Sequence, residues 1–242
     1  MERAIETFAR GYAFTRSFTH PYLAEQIGPV WVTRDAPRTR GDYRTEEWIA
    51  YGVPPAEVDN LTRKHARGRY AICAIRGLDD PMAPLRDAYK ELGYRLNTTE
   101  PFMVHSLQEI PQFDCPVEIQ RATTPEVADR LNKAARSRQI LPRHLKGDDT
   151  LRQYVALEGD EPVGWVRSIT VGDATWCSNM YVKPEFRRRG IARALLGRML
   201  QDDRDAGAQT AVLLATHTGA LLYPALGYEM IGTLLLFTPT GG

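Results

Sequence analysis

Asn179-Met180-Tyr181-Val182-Lys183-Pro184-Glu185-Phe186-Arg187-Arg188-Arg189-Gly190-Ile191-Ala192-Arg193-Ala194-Leu195-Leu196 reads as a strand, a basic turn and a helix. The strand is β-branched and aromatic and ends at Val182, because Pro184 has no N–H to give to a ladder. After Gly190 the apolar residues fall at Ile191, Ala194, Leu195 and Met199, which is helical spacing. The first turn of that helix leaves unpaired N–H groups aimed back into the turn. Arginines stand immediately before it, and Gly190 allows a ligand close to the backbone. Such a turn is an anion site, suited to a phosphate and better to a diphosphate, since several consecutive amides converge. Three consecutive arginines alone would read as a solvated charge run or a nucleic-acid patch. The strand, proline, glycine and helix around them favour the ligand site.

Val182-x-Pro184 followed by Arg187-x-x-Gly190-x-Ala192 resembles the acyl-CoA signature of the GNAT superfamily of N-acyltransferases. The resemblance implies that the turn, with Arg187, Arg188, Arg189, Gly190, Ile191, Ala192 and Arg193, holds the diphosphate of coenzyme A. It implies that backbone groups of Met180, Tyr181 and Val182 meet the pantetheine arm, where neighbouring strands splay to admit it. Thr216 falls where many relatives carry an asparagine that bonds this arm; its hydroxyl substitutes in part or caps a helix.

The second half repeats the order of that fold over roughly residues 115 to 240. Val117–Arg121 is expected as a strand. Thr124-Pro125-Glu126 opens a helix to about Arg136, with Thr124 as N-cap and Pro125 at the first helical position. A polar Gly147-Asp148-Asp149 break comes next. Strands are expected over Tyr154–Leu157, Pro162–Thr170 and Ala174–Val182, joined by hairpin turns. The helix after Gly190 runs to about Ala206, then come a strand at Thr210–Ala215, a helix from Thr218 to Leu226, and two strands at Tyr228–Ile231 and Thr233–Phe237. The fold class is therefore α/β (α+β): a mixed, mostly antiparallel central sheet flanked by helices.

Tyr-x-x-Leu-Gly-Tyr occurs twice, at Tyr89–Tyr94 and Tyr223–Tyr228, each time before strand-like residues. Upstream, Glu46–Tyr51, Pro54–Arg67 and Arg69–Ile75 read as strand, helix and strand. Residues 1–110 are read as a degenerate, truncated copy of the unit at 115–242. Its equivalent turn, Gly52-Val53-Pro54-Pro55-Ala56, lacks the Arg-x-x-Gly pattern, and its prolines remove amides a diphosphate needs. The segment Ile110–Pro116, with two prolines, is the expected linker.

The 242 residues carry a formal net charge of +1, which argues against a dedicated nucleic-acid partner. Three widely spaced cysteines, Cys73, Cys115 and Cys177, form no C-x-x-C and no disulfide framework. They suit a reducing, cytoplasmic setting. Glu2 and Glu6 interrupt the start, so a signal peptide is not expected, and no apolar run reaches membrane-spanning length. No metal motif is present.

In the family an acetyl group passes from acetyl-CoA to an amine by direct attack in a ternary complex. That chemistry needs proximity, a donor to the carbonyl oxygen, and a proton for the departing thiolate. Tyr223 is the candidate acid, because relatives often carry a tyrosine there; the alternative is a core aromatic. A water, His217, His144 or a carboxylate of the first half are candidate bases. Cys177 reads as a buried strand cysteine rather than a nucleophile. The expected acceptor is a small-molecule amine, with a protein amine and a homodimer both compatible. The alternative function is a non-catalytic acyl-CoA sensor.

Overall fold

The computed structural model describes residues 1–146 and 149–241. In chain order the regular elements are α1 (Glu2–Arg16), β1 (Tyr22–Ile27), β2 (Val30–Asp35), β3 (Glu46–Tyr51), α2 (Pro55–His65), β4 (Tyr70–Gly77), α3 (Met82–Glu91), β5 (Tyr94–His105), β6 (Glu118–Arg121), α4 (Pro125–Ala135), β7 (Leu151–Glu158), β8 (Glu161–Val171), β9 (Ala174–Val182), α5 (Ile191–Asp205), β10 (Thr210–Leu214) and β11 (Glu229–Pro239). The expected break at Gly147 and Asp148 lies outside the described residues. No described helix is long and apolar enough to cross a membrane.

Contacts gather the chain into two compact units. One comprises Met1–Met103, Leu214–Thr218 and the chain from Met230 onward; the other comprises Val104–Leu213 and Gly219–Glu229. The units therefore do not obey a single cut in the 110–115 region, because β11 lies in the sheet of the first unit.

In the first unit the strands run β1-β2-β3-β4-β11-β5. β1, β2 and β3 are joined antiparallel, and β3 pairs β4 in parallel through the crossover helix α2. β11 lies antiparallel to β4, with Leu236 opposite Cys73. Its core holds Val32, Trp48, Ile72, Tyr89 and Phe237, all buried. Two buried carboxylates fasten this sheet. Glu47 accepts from the hydroxyls of Tyr12, Tyr22 and Thr33 at 2.9, 2.5 and 2.8 Å. Asp35 accepts from the Arg44 N–H and Nε at 2.8 and 2.7 Å and from Arg38 Nη2 at 2.9 Å.

In the second unit the order is β10-β9-β8-β7-β6. β6 to β9 are antiparallel neighbours, and β9 pairs β10 in parallel through α5. Thr124 caps α4 as read from the sequence, its Oγ1 accepting from Val127 N at 3.4 Å. α5 is pinned beneath the sheet by Asp203, which is fully buried. Its carboxylate accepts from Arg152 Nε and Nη2 at 3.1 and 2.8 Å, and from the Ser168 and Thr175 hydroxyls at 2.8 Å.

Two expectations are corrected. The helix expected from Thr218 to Leu226 is two short 3-10 turns, Gly219–Leu221 and Tyr223–Leu226. Pro224 is the reason: inside a helix its ring would strike the carbonyl four residues back, so it starts a new turn instead. The two strands expected at Tyr228–Ile231 and Thr233–Phe237 are the single strand β11. Gly232 does not break it but lets it approach β4, since a Cβ there would lie 2.4 Å from the Arg76 carbonyl oxygen.

Candidate active site

β9 and β10 begin as neighbours and then separate. Their parallel register covers Thr210↔Ala174, Ala211↔Thr175 and Val212↔Trp176, while β9 continues to Val182. Lys183 N donates to Val163 O at 2.9 Å, so Lys183 faces β8. By strand alternation the polar backbone groups of Val182 and Met180 then face the opposite edge, where β10 has turned away. Asn179 sits in the left-handed region at φ 56°, and the β8/β9 register slips between Trp165 and Arg167. This is a β-bulge, which bends the strand and re-aims the residues beyond it. Asparagine tolerates that conformation better than most residues.

Beyond β9, a 3-10 turn spans Pro184–Phe186 and leads through Arg187 to Gly190, the N-cap of α5. Arg188 and Gly190 are both left-handed, at φ 60° and 84°. Alternation of this kind curls successive N–H groups toward one point. No side chain caps α5, and its first turn contains no acidic residue. The first intrahelical bond with Gly190 as acceptor comes from Ala194 N, at 3.1 Å. The amides of Ile191, Ala192 and Arg193 thus have no carbonyl within the helix, and the positive end of its dipole is uncompensated. That arrangement fits a diphosphate.

The arginines divide their work. Arg187 Nε donates to Val182 O at 3.0 Å, tying the turn to the strand. Arg189 reaches Glu158 at 3.2 Å, an exposed pair. Arg193 lies 6.0 Å over the Phe113 ring, along the linker segment. Arg188 is exposed at the apex of the turn.

Tyr223 lies in the same unit, at the head of the second 3-10 turn. It is 8% exposed, packed edge-on to Tyr228 at 5.5 Å. Burial, with Cys177 nearby, raises its phenol above the usual range, so it stays protonated. Its hydroxyl has no hydrogen-bond partner among the described residues. His105, which sequence reading did not single out, supports this turn. Its Nε2 lies 2.8 Å from Leu226 O while Nδ1 accepts from Leu107 N at 2.9 Å. This pairing requires the neutral Nε2–H tautomer, and burial lowers its pKa accordingly. A lone histidine ending a strand gives no signal of this role.

Cys177 is a buried strand residue. Burial pushes its thiol up, which disfavours a thiolate. His144 is buried in the short turn Pro142–Leu145, with Nδ1 3.3 Å from Leu141 N. Thr216 and His217 belong with the other unit and are exposed there. His217 Nε2 lies 3.0 Å from Thr99 Oγ1, and burial raises the carboxyl of neighbouring Glu100 against the opposing effect of His217.

On the α4 side of β8 and β9 the second unit has a cavity of about 520 Å³. Its floor is the stacked pair Trp165 and Tyr181, ring centroids 4.7 Å apart and inclined by 25°. The end of α4, Asn179, Gln139, Lys183 and Glu185 complete the wall. Asn179 Nδ2 donates a hydrogen bond to Gln139 Oε1, which clasps the segment after α4 to the bulge.

Residues 149–230 match the family model described as an acetyltransferase (GNAT) domain. A thialysine N-epsilon-acetyltransferase from Caenorhabditis elegans is 25% identical over 134 residues, covering 52% of this chain and 72% of that protein. A GCN5-related N-acetyltransferase structure from Kribbella flavida matches over 99% of this chain and 96% of its own, with a TM-score of 0.72 and 18% identity. A tandem GNAT protein from the clavulanic acid biosynthesis pathway matches over 100% and 96%, with a TM-score of 0.55 and 12% identity. The chain thus has the GNAT fold, and its residues 149–230 are similar to an acetyltransferase (GNAT) domain.

Proposed function

We propose that the protein is an N-acetyltransferase that moves an acetyl group from acetyl-CoA to a primary amine. The observation that carries this reading is the combination of a splayed β9 edge with an uncapped, acid-free α5 N-terminus directly after it. When bound, acetyl-CoA supplies the thioester whose C–S bond is exchanged for a C–N bond. The amides of Ile191, Ala192 and Arg193 would hold its diphosphate, and Met180 and Val182 would pair with the pantetheine amides as a strand edge does. Tyr223, kept protonated by burial, would donate to the departing sulfur. The amine surrenders its proton to a base that β9 does not supply, since Ala174–Val182 contains no carboxylate or histidine. The acetyltransferase from Caenorhabditis elegans acts, by its name, on thialysine, which supports a small amine as acceptor.

Residues 1–110 are read as a second copy that has lost the cofactor. The order α1, three antiparallel strands, parallel crossover through α2, α3 and a Gly93-Tyr94 turn repeats that of α4, β7–β9, α5 and Gly227-Tyr228. Gly93 and Gly227 are both left-handed, at φ 84° and 93°. In the first copy β3 and β4 stay paired over all six positions from Glu46↔Tyr70 to Tyr51↔Ile75. Pro54 and Pro55 stand at the start of α2, and Glu57 occupies its first turn. A closed edge and an acid at the helix start both oppose a diphosphate.

Calorimetric titration of acetyl-CoA into the wild type and Ala192→Glu tests the cofactor reading. A glutamate at that position suits a helix start yet repels a diphosphate. Gly190→Glu would confound strain at φ 84° with repulsion. Binding at one site per chain, weakened at least about tenfold by Ala192→Glu, is expected. Equal binding by both proteins would remove the turn from the site. Binding without turnover across a broad amine panel would favour the sensor.

A further inference from the structure

The cavity on the α4 side of the second unit has in its lining two exposed charges of opposite sign that no described residue pairs. Arg136 closes α4 in the left-handed region at φ 51°, a conformation unfavourable for a residue with a side chain. Its guanidinium has no hydrogen bond or ion pair among the described residues, and neither has the carboxylate of Glu185. The third charge in the lining, Lys183, is already engaged: its Nζ lies 2.5 Å from Glu161 Oε1. The same lining includes the stacked rings of Trp165 and Tyr181. The Gln139 side-chain amide is also engaged, bonding both Asn179 and Ser137.

We propose that this cavity takes a zwitterionic amine of the amino-acid class. Its carboxylate meets Arg136, its ammonium meets Glu185, and its apolar body lies on Trp165 and Tyr181. A purely cationic ligand would leave Arg136 unmatched and repelling, and a purely anionic one would do the same with Glu185. The planar guanidinium fork suits a carboxylate. The aromatic faces suit an alkyl or aryl chain and favour a nearby cation. A volume of about 520 Å³ is of the size that holds a small organic ligand. The proposal rests on the acetyltransferase reading only in making this occupant the acceptor; the binding preference itself is independent of turnover.

Three probes of one skeleton test it: L-phenylalanine, phenethylamine, which lacks the carboxylate, and 3-phenylpropionate, which lacks the amine. Each is titrated into the full chain by calorimetry, with and without acetyl-CoA, which is also titrated alone. L-phenylalanine is expected to bind about fivefold tighter than either relative, the scale of one solvent-accessible ion pair. Arg136→Gln should bring L-phenylalanine down to the level of phenethylamine without weakening phenethylamine. Glu185→Gln should bring it to the level of 3-phenylpropionate without weakening that probe. Both variants should bind acetyl-CoA as the wild type does, which shows that they fold. Equal affinity for L-phenylalanine and phenethylamine, a loss in Arg136→Gln shared by both, or no binding of any probe would overturn the proposal. Competition between acetyl-CoA and L-phenylalanine would overturn it too, by assigning the cavity to the cofactor. Failure of acetyl-CoA to bind, with the probe pattern intact, would instead sink the acetyltransferase reading and leave the cavity's preference standing.

Discussion

Asp203→Leu should be among the most damaging single changes in the second unit, and its cost comes from four hydrogen bonds. The Asp203 side chain is fully buried and Arg152 is 3% exposed, so neither is screened by water. Removing the carboxylate leaves a buried guanidinium without its counter-charge, at about 3–5 kcal/mol. Ser168 and Thr175 each lose their acceptor, at about 1–3 kcal/mol where no water reaches them. These costs overlap, because the site relaxes as one, and a total of about 4–6 kcal/mol is expected. That consumes much of the roughly 5–15 kcal/mol by which a domain is stable. Urea unfolding monitored by circular dichroism should show the midpoint falling steeply. The companion variant Arg152→Met with Asp203→Leu should recover at least half of the loss, because it removes both charges together. A single variant costing under about 1 kcal/mol would refute the reasoning, as would a double variant no better than the single. Asp203 lies at the far end of α5 from Gly190. Acetyl-CoA affinity should therefore be unchanged wherever the variant remains folded.

Three further expectations concern separate sites. Tyr223→Phe should lower turnover by roughly 10²–10⁴ while nearly preserving acetyl-CoA affinity, the scale of a lost proton donor; steady-state kinetics with normal turnover would remove Tyr223 from the chemistry. Since burial raises its phenol above the ordinary value of 10.0, the pH profile should show no fall below pH 10 that Tyr223→Phe abolishes. Burial pushes the Asp35 carboxyl up, but the Arg44 side chain and amide and Arg38 outweigh it and hold it at about 2. A depressed acid stabilises the fold above its unfolded value, so Asp35 should contribute about 2 kcal/mol at neutral pH, lost as pH falls from about 4 to about 2. Acid titration of Asp35→Asn should lack that component. Asn179→Val places a β-branched residue at φ 56° and should lower stability by about 1–2 kcal/mol or undo the bulge, with weaker acetyl-CoA binding in calorimetry.

The parts of this fold that are legible in the sequence are those set by neighbours along the chain. Pro184 and Gly190 mark the end of β9 and the start of α5 whatever surrounds them, and Thr124-Pro125 does the same for α4. Glu46–Tyr51 is readable because its apolar residues form a short run between turn signals. Long-range pairing decides the rest. Gly232 looks like a strand break until the Arg76 carbonyl opposite it is known. Pro224 is visible in the sequence, but the apolar pattern around it hides how strongly it opposes a helix. α1 and the β1–β2 hairpin escape the sequence reading, although Ala4, Ile5, Phe8 and Ala9 recur at helical spacing and are buried. At the site, the amide nest is dictated by local sequence, and its residues can be named from the chain alone. The bulge at Asn179, the clasp to Gln139, the support from His105 and the open charges of Arg136 and Glu185 depend on neighbours distant in sequence.

β11 has a consequence for the order in which the protein can be made. It lies between β4 and β5, and Arg76 and Thr233, which bond across this seam, are 157 residues apart. During translation the first unit therefore begins to emerge before the second and matures after it, with the β4 edge awaiting its partner until Glu229–Pro239 has been made. An incomplete sheet with an open edge invites wrong pairing. A nascent chain arrested before residue 229 should expose the first unit, not the second, to chaperones and proteases, the reverse of what position along the chain suggests.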